Sequence, residues 1–374
     1  MIRLLQGDCR EVLGTLPAES VQCCVTSPPY FGLRDYGTGQ WEGGSAGCNH
    51  IVGEIRTGLG MVALGEKYRG GGKKAAASKP MMAKDLCPKC GATRLDNQIG
   101  LEQTPAEYVA QLVEVFREVR RVLRPDGTCW VNLGDAYANG GKWGGSTGGK
   151  HVGGREGTEG YRVKRHTGLK PKDLMGIPWR VAFALQDDGW WLRADIIWSK
   201  PNPMPESVRD RPTKSHEYLF LFAKAERYFY DAKAIAEPLQ TDPKENYPAR
   251  AKVTGRGTQS YTTAHNGAPS QDKSGGFPPA DDLTRNARSV WTIATQPYSE
   301  AHFATFPAEL ARRCILAGTR PGDTVLDPFA GAGTTLLVAD REKRDGIGIE
   351  LNPDYVELAR RRISGDAPLL ADVA

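Results

Sequence analysis

Three short stretches of this chain combine residue types and spacings that can do chemistry. The first is Thr26-Ser27-Pro28-Pro29-Tyr30, which follows an apolar run. Its two prolines give up two backbone donors and freeze two φ angles, so the chain leaves the preceding strand in one stiff, extended direction. Such stiffness serves placement, although a Pro-Pro pair can also do no more than end a strand. The second runs from Val325-Leu326-Asp327-Pro328-Phe329 through Gly331 and Gly333 to Thr334, out of a strand and into a helix. Glycines admit a ligand where a β-carbon would block it, and the helix start favours an anionic group. Glu350 ends the next strand, 19 positions after Gly331, where a carboxylate can accept from both hydroxyls of a ribose. The third sets Cys48 and His50 at one end of a glycine- and lysine-rich loop, and Cys87 and Cys90 at the other.

The glycine turn lacks the third glycine of a dinucleotide fingerprint and the Lys-Ser/Thr of a phosphate-cradling loop. A ligand with an adenine, a ribose and a zwitterionic amino-acid tail suits it better, with Asp327 near the ammonium and the turn amides near the carboxylate. S-adenosylmethionine is such a ligand. The plain alternative is a tight strand-to-helix turn with acids facing solvent. For the third stretch, thiolate and imidazole in two close pairs suit structural zinc, and Gly91 permits the turn that aims backbone amides at sulfur. Unconnected surface residues are the alternative; a redox dithiol lacks its usual surroundings. Cys9, Cys23, Cys24, Cys129 and Cys314 read as small buried hydrophobes.

The elements that must carry these stretches alternate between strand and helix. Strands are expected at the start of the chain up to Gly7-Asp8, at Val21–Thr26, at Thr128–Asp135, at His216–Lys224 and in the segments ending at Asp327 and Glu350. Thr104, Pro105 and Glu107 form a capping box and first turn, ahead of a helix with Tyr108, Leu112, Val115, Phe116, Val119 and Leu123 as its buried stripe. Alternation at these lengths calls for right-handed crossovers in a mostly parallel sheet covered on both faces, with ligands at the carboxyl ends of its strands. Three glycine-rich, basic or polar stretches interrupt the pattern: an inserted zinc-binding segment at 38–103, a basic loop at 139–172, and a recognition segment at 231–290. The whole of 1–374 is expected to be one catalytic domain with these insertions.

Together, Thr-Ser-Pro-Pro-Tyr and Asp-Pro-Phe-Ala-Gly-Ala-Gly-Thr-Thr resemble the motifs of the amino-methylating DNA methyltransferases, in the order of their beta class: catalytic motif first, cofactor motif last. The resemblance covers residues 1 to 37 and 104 to 362 outside the long loops. It implies a Rossmann-like methyltransferase fold with a seven-stranded, mostly parallel sheet in circularly permuted order. It also implies methyl transfer from S-adenosylmethionine to the exocyclic amino group of a flipped-out base in duplex DNA, as in restriction-modification. Because that amine's lone pair is delocalised into the ring, two acceptors at fixed spacing are needed to free it; the Ser27 hydroxyl and the Pro28 carbonyl can supply them while Pro29 keeps the loop from yielding. Tyr30 can stack on the extruded base. By the same resemblance Asp8 reads the adenine end of the cofactor, His302 and Phe303 lie beside its methionine end, Phe329 of the glycine-turn motif touches the cofactor or is plain core, and Trp198, Lys200 and Asn202 border the target base. Serine at the first motif position leans toward cytosine N4 and leaves adenine N6 open. A homodimer is an assembly found among such proteins.

Two rivals share these features. An RNA or protein amine methyltransferase of the same fold is disfavoured by motif order, since enzymes acting on glutamine carry Asn-Pro-Pro-Tyr after the cofactor motif. A non-catalytic zinc-containing DNA-binding module is disfavoured by the intact Ser27, Tyr30, Gly331 and Glu350. The absence of a Pro-Cys dipeptide speaks against methylation at a ring carbon of cytosine. The totals agree with a globular protein: 374 residues, 40% hydrophobic, 25% charged, net charge +5. The basic residues crowd into the glycine-rich loops, a distribution that favours nucleic acid as partner. No apolar run approaches membrane-spanning length and Asp8 comes too early for a signal peptide, so a cytoplasmic protein with no membrane contact is expected.

Overall fold

The structure, a computed structural model, describes residues 1–32, 38–50, 86–87, 89–138, 168–238, 284–296 and 306–366. In chain order the elements are β1 (Ile2–Gln6), α1 (Cys9–Thr15), β2 (Val21–Thr26), β3 (Gln40–Glu42), β4 (Thr93–Leu95), α2 (Pro105–Val122) and β5 (Leu123–Leu133). There follow α3 (Ile177–Asp187), β6 (Trp191–Ser199), β7 (His216–Ala223), β8 (Glu237–Pro238), β9 (Thr284–Arg285) and β10 (Val290–Thr292). The chain then forms α4 (Ala308–Gly318), β11 (Thr324–Asp327), α5 (Thr334–Arg341), β12 (Asp345–Glu350) and α6 (Pro353–Asp366).

The main sheet has eight strands in the order β1-β12-β11-β2-β5-β7-β6-β10. β7 runs antiparallel to both neighbours, and every other pairing in this sheet is parallel. The sheet therefore has one strand more than the expected seven. The addition is β10, three residues paired to the edge of β6 and anchored by the buried Trp291. β5 also begins earlier than the expected Thr128: its register against β2 jumps from Val21↔Leu123 to Cys23↔Thr128, so Arg124 to Gly127 form an irregular entry to the strand.

Two-residue alternation distributes the core over both faces. On one face Cys24, Cys129, Val131, Phe220 and Phe222 pack against α1, α2 and α3; on the other Cys23, Val25, Trp130, Leu219 and Leu221 pack against α4. The five cysteines read as small hydrophobes are all buried. At the β1 edge, Ile2 and Leu4 meet Leu336 and Leu337 of α5 and Val356, Ala359 and Ile363 of α6. α2 starts as its sequence dictates, with the Thr104 hydroxyl accepting from the Glu107 amide and the Glu107 carboxylate accepting from the Thr104 amide; such a box is worth about 1 kcal/mol. Leu123, placed in the helix stripe by periodicity, is instead the first residue of β5. The basic loop at 139–172 and the recognition segment at 231–290 lie largely outside the described residues. Among the described residues no helix is long and apolar enough to cross a membrane.

The topology brings the carboxyl ends of β1, β2, β5, β6, β11 and β12 to one edge of the sheet, together with the amino end of antiparallel β7. Gly7-Asp8, Ser27, Gly134, Lys200, Pro328 and Glu350 follow or close those strands, and Glu217 lies at the start of β7.

Candidate functional site

A cavity of about 200 Å³ opens at this edge. Its wall includes Gly7 and Asp8 after β1, Ser27 to Tyr30 after β2, Pro328 to Ala332 after β11, and Glu350 at the end of β12. Two of the three stretches singled out in the sequence thus face one space, although almost the whole chain separates them.

The glycine turn has the shape a ligand needs. Gly331 and Gly333 adopt φ of 51° and 73°, in the left-handed region that glycine enters without cost. A β-carbon on Gly331 would meet nothing nearer than the Phe329 carbonyl oxygen at 4.0 Å, while one on Gly333 would come within 3.0 Å of Ala359. Gly331 therefore faces the cavity and Gly333 packs α5 onto α6. The Glu350 carboxylate, in the cavity wall, accepts from the backbone amides of Gly331 (2.9 Å) and Asn352 (2.8 Å). Burial pushes its pKa above the usual carboxylate value of 4.5, and the two amides restrain the rise. Thr334 lines the cavity and its hydroxyl accepts from Arg362 at 2.9 Å. Phe329 also lines it.

Asp8 caps α1, its Oδ1 accepting from the amide and Nε of Arg10, both at 2.9 Å. Burial raises its pKa, but the Arg10 bonds outweigh that and hold the carboxyl below its ordinary value. Asp327, expected beside an ammonium, lies beneath the cavity wall instead. It is 1% exposed, with Oδ1 accepting from Thr26 Oγ1 (2.6 Å) and the Phe329 amide (3.1 Å) and Oδ2 from Thr335 Oγ1 (2.7 Å). Burial raises its pKa despite these donors. The carboxylate ties β2, β11 and α5 together under the site.

The Ser-Pro-Pro-Tyr loop is braced from three sides. The Tyr108 hydroxyl of α2 donates to the Pro29 carbonyl at 2.9 Å. Among the described residues none donates to the Pro28 carbonyl. The Tyr30 hydroxyl donates to Glu217 Oε2 at 2.7 Å and lies 3.5 Å from Ser27 Oγ, at the limit of a hydrogen bond. Burial, then the Glu217 charge, raise the Tyr30 pKa well above its ordinary value, so the phenol stays protonated and donating. Glu217 also accepts from Lys200 Nζ and from Asn132 Nδ2 (3.2 Å). The Tyr30 ring lies against Gly134, where an added β-carbon would fall 2.5 Å from Cε2.

Sequence reading missed Glu217, Gly134 and Asn132. The available signals were a carboxylate opening an otherwise apolar strand and a glycine closing one. Phe306 and Tyr355 in the cavity wall were also missed. Of the residues expected at the target base, Trp198 is core: it is 3% exposed and its indole N–H donates to the Ile293 carbonyl at 2.8 Å. Lys200 reaches the site through Glu217 and lies over the Trp198 ring, while Asn202 accepts from the Thr295 amide at 3.0 Å. His302 and Phe303 lie outside the described residues.

The third stretch does converge. One ligand atom from each of Cys48, His50, Cys87 and Cys90 falls within 4.8 Å of all the others. Cys48 Sγ is 4.0 Å from Cys87 Sγ, and Cys90 Sγ is 3.3 Å from His50 Nδ1. Tetrahedral zinc with ordinary bond lengths requires separations of about 3.8 Å between sulfurs and about 3.5 Å between sulfur and nitrogen. Backbone amides of Ser45 and Ala92 point at the Cys90 sulfur and lower its pKa, Gly91 turns at φ 75°, and the His50 ring stacks on Trp41.

Known proteins match this arrangement. The family of DNA methylases acting at N6 or N4 matches residues 21–361. The type II methyltransferase M.Cfr9I of Citrobacter freundii is 40% identical over 365 residues, covering 97% of this chain and 88% of that one. M.SmaI of Serratia marcescens is 40% identical over 361 residues, covering 96% and 90%. Among solved structures, the cytosine-N4-specific PvuII DNA methyltransferase shares the fold at a TM-score of 0.52 and 18% identity, covering 97% of this chain and 90% of that one. A protein of Thermus thermophilus crystallised with S-adenosyl-L-methionine does so at 0.51 and 22%, covering all of both chains.

Proposed function

The chain belongs to the N6/N4 DNA methylase family, and from that premise we propose that it methylates the N4 amino group of a cytosine swung out of duplex DNA, with S-adenosylmethionine as donor. The observation that carries this is the single cavity shared by the Ser27-Pro28-Pro29-Tyr30 loop and the Gly331 turn with Glu350. The residues fit the donor. Glu350 offers a carboxylate where a ribose can reach it, Gly331 leaves room against its backbone, Asp8 stands at the end of β1, and Phe329 and Phe306 supply apolar wall. When bound there, S-adenosylmethionine supplies an electrophilic methyl on a positively charged sulfur.

The chain's own residues prepare the acceptor. An exocyclic amine inside a duplex is paired and shielded, so it must leave the stack first. The Ser27 hydroxyl and the Pro28 carbonyl then accept from its two N–H groups, drawing nitrogen toward tetrahedral geometry so that its lone pair can attack. Pro29, held by Tyr108, keeps these acceptors at one spacing. Tyr30, tethered to Glu217 and set against Gly134, provides a ring on which the base stacks. Lys200 neutralises Glu217, and Asn202 stands beyond it at the same edge. A hydroxyl such as that of Ser27 can accept from either amine; the lean toward cytosine N4 over adenine N6 rests on the serine at the first motif position, as the family resemblance has it. In the same reading the cluster of two residue pairs holds structural zinc, segments 139–172 and 231–290 reach the DNA, and one domain spans 1–374 with its insertions.

The test is to methylate plasmid DNA with purified protein, digest it completely and separate the nucleosides. N4-methylcytosine is expected. N6-methyladenine alone would refute the choice of base, and no methylated nucleoside in DNA would refute the reading as a whole.

A further inference from the structure

We propose that the metal held by Cys48, His50, Cys87 and Cys90 fastens one wall of the methyl-donor cavity, so that affinity for the donor depends on the metal. This deepens, and rests on, the methyl-transfer and zinc readings above. In the sequence this segment only interrupts the strand-helix pattern; the structure runs the metal hairpin directly into the site.

The hairpin has little else to hold it. β3 and β4 pair over three residues each, Gln40↔Leu95, Trp41↔Arg94 and Glu42↔Thr93, and residues 43–92 intervene between them. In both strands only the middle residue is partly buried. A two-stranded ribbon this short is marginal in water, and closing so long a loop opposes it further. The four ligands stand just beyond the open end of that ribbon, where a bound ion would close the loop and convert binding energy into folding energy. The site is built for sulfur: Gly44 comes so close that a β-carbon there would fall 2.7 Å from Cys90 Sγ.

From β4 the chain passes straight to the cavity. Asp96 is the strut: its carboxylate pairs with Arg94 (2.9 Å) and accepts from Thr38 Oγ1 (2.9 Å) and the Gln98 amide (3.1 Å), clasping both legs of the hairpin. Thr38, Asn97, Gln98 and Ile99 then line the cavity itself. The Asn97 carbonyl accepts from Arg10, the partner of Asp8, at 3.0 Å. The Gly100 carbonyl accepts from the Gly32 amide at 2.9 Å, and Gly100 lies so near the Tyr30 carbonyl that a β-carbon would approach it to 3.1 Å. One continuous run of contacts therefore joins the metal ligands, the donor wall beside Asp8, and the backbone of the Ser-Pro-Pro-Tyr loop.

The experiment uses the full chain and S-adenosylhomocysteine as probe. Bound metal is measured in the purified protein, and probe affinity is measured by calorimetry before stripping with chelator and reductant, after it, and after zinc is restored. One zinc per chain is expected, with the dissociation constant rising about tenfold on stripping, as loss of one or two wall hydrogen bonds would give, and recovering with zinc. Unchanged affinity in stripped protein overturns the coupling and leaves the zinc reading standing. Absence of stoichiometric metal overturns the zinc reading. Failure of metal-loaded protein to bind the probe overturns the donor reading. Asp96→Asn, which touches no ligand, should keep its zinc and a single cooperative melting transition yet bind the probe about threefold or more weakly. Should stripping unfold the whole chain, that variant decides, and wild-type affinity in it overturns the proposal.

Discussion

Gly134→Ala tests whether the position of the Tyr30 ring, and not merely its presence, sets the rate. A β-carbon at residue 134 would lie 2.5 Å from Tyr30 Cε2, 3.0 Å from Cδ2 and 3.2 Å from Cζ. Carbon atoms in contact sit about 3.5–4.0 Å apart, so the ring edge must retreat by about 1 Å. It cannot do so without cost. Its hydroxyl is bound to Glu217, and the adjoining backbone is pinned by Tyr108 at the Pro29 carbonyl and by Gly100 at the Tyr30 carbonyl. Overpacking of this kind costs about 1–3 kcal/mol of stability, and a 1 Å displacement in a reacting arrangement costs about 100-fold in rate. The assay is single-turnover methyl transfer to duplex DNA, with S-adenosylhomocysteine affinity as control. Turnover should fall by about two orders of magnitude while probe affinity changes far less: Tyr30 lines the cavity, but the donor is assigned to Asp8, Gly331 and Glu350, and an added β-carbon at residue 134 meets only the Tyr30 ring. In a Tyr30→Ala background the same change should cost almost nothing further, since the clash is gone. Wild-type turnover in Gly134→Ala, or full additivity with Tyr30→Ala, would refute the reasoning.

Further outcomes follow from the same geometry. Ser27→Ala should reduce transfer by about 100-fold or more with cofactor affinity intact, read as kcat against a binding titration, because it removes one of two acceptors without touching the glycine turn. Tyr30→Phe keeps the ring but leaves Glu217 with Lys200 and Asn132 only; a loss of about tenfold in transfer is expected, between wild type and Tyr30→Ala, and equality with Tyr30→Ala would mean that the hydroxyl matters more than the ring. Glu350 gives a pH dependence whose sign is fixed. Its pKa is raised in the free protein, whereas a bound ribose favours the ionised form, so probe affinity should rise with pH and fall on acidification through a midpoint above 4.5. Glu350→Gln should flatten that profile, and a wild-type profile already flat across this range would remove the carboxylate from ribose binding. Asp327→Asn should destabilise the fold by about 1–3 kcal/mol, seen as a lower melting temperature, since the amide puts a donor among groups that only donate to it here.

The legible parts of the molecule are those governed by short-range periodicity. Val21–Thr26 reads as a strand because alternate residues feed two cores, Cys23 and Val25 one face and Cys24 the other, and α2 announces itself through Thr104 and Glu107. Neighbours across the sheet leave no such trace. β10 is three residues with one buried side chain, too short to show a period, and it exists as a strand because β6 offers it an edge. Asp327 sits next to the glycine turn in sequence, which suggested the cavity; its real partners, Thr26 and Thr335, come from a neighbouring strand and from α5, and only the sheet order makes them meet. Trp198 could have been placed by its alternation with the buried Ile196 on β6, a local signal that outweighs its proximity to the reacting edge.

Glu217 shows the limit most sharply. Tyr30, Asn132, Lys200 and Glu217 come from the ends of four neighbouring strands, and the last meets the others because β7 alone is reversed, presenting its first residues where the rest present their last. A parallel β7 would carry Glu217 to the opposite edge. Strand periodicity is indifferent to direction, so the residue that tethers Tyr30 could be found only once the reversal was seen. The same reversal lets a lysine at the end of β6 stand against a carboxylate at the start of β7, across the antiparallel pair Ser199↔His216. The Glu217 charge beside Tyr30, where the proposed function stacks the base, is thereby compensated by the fold itself.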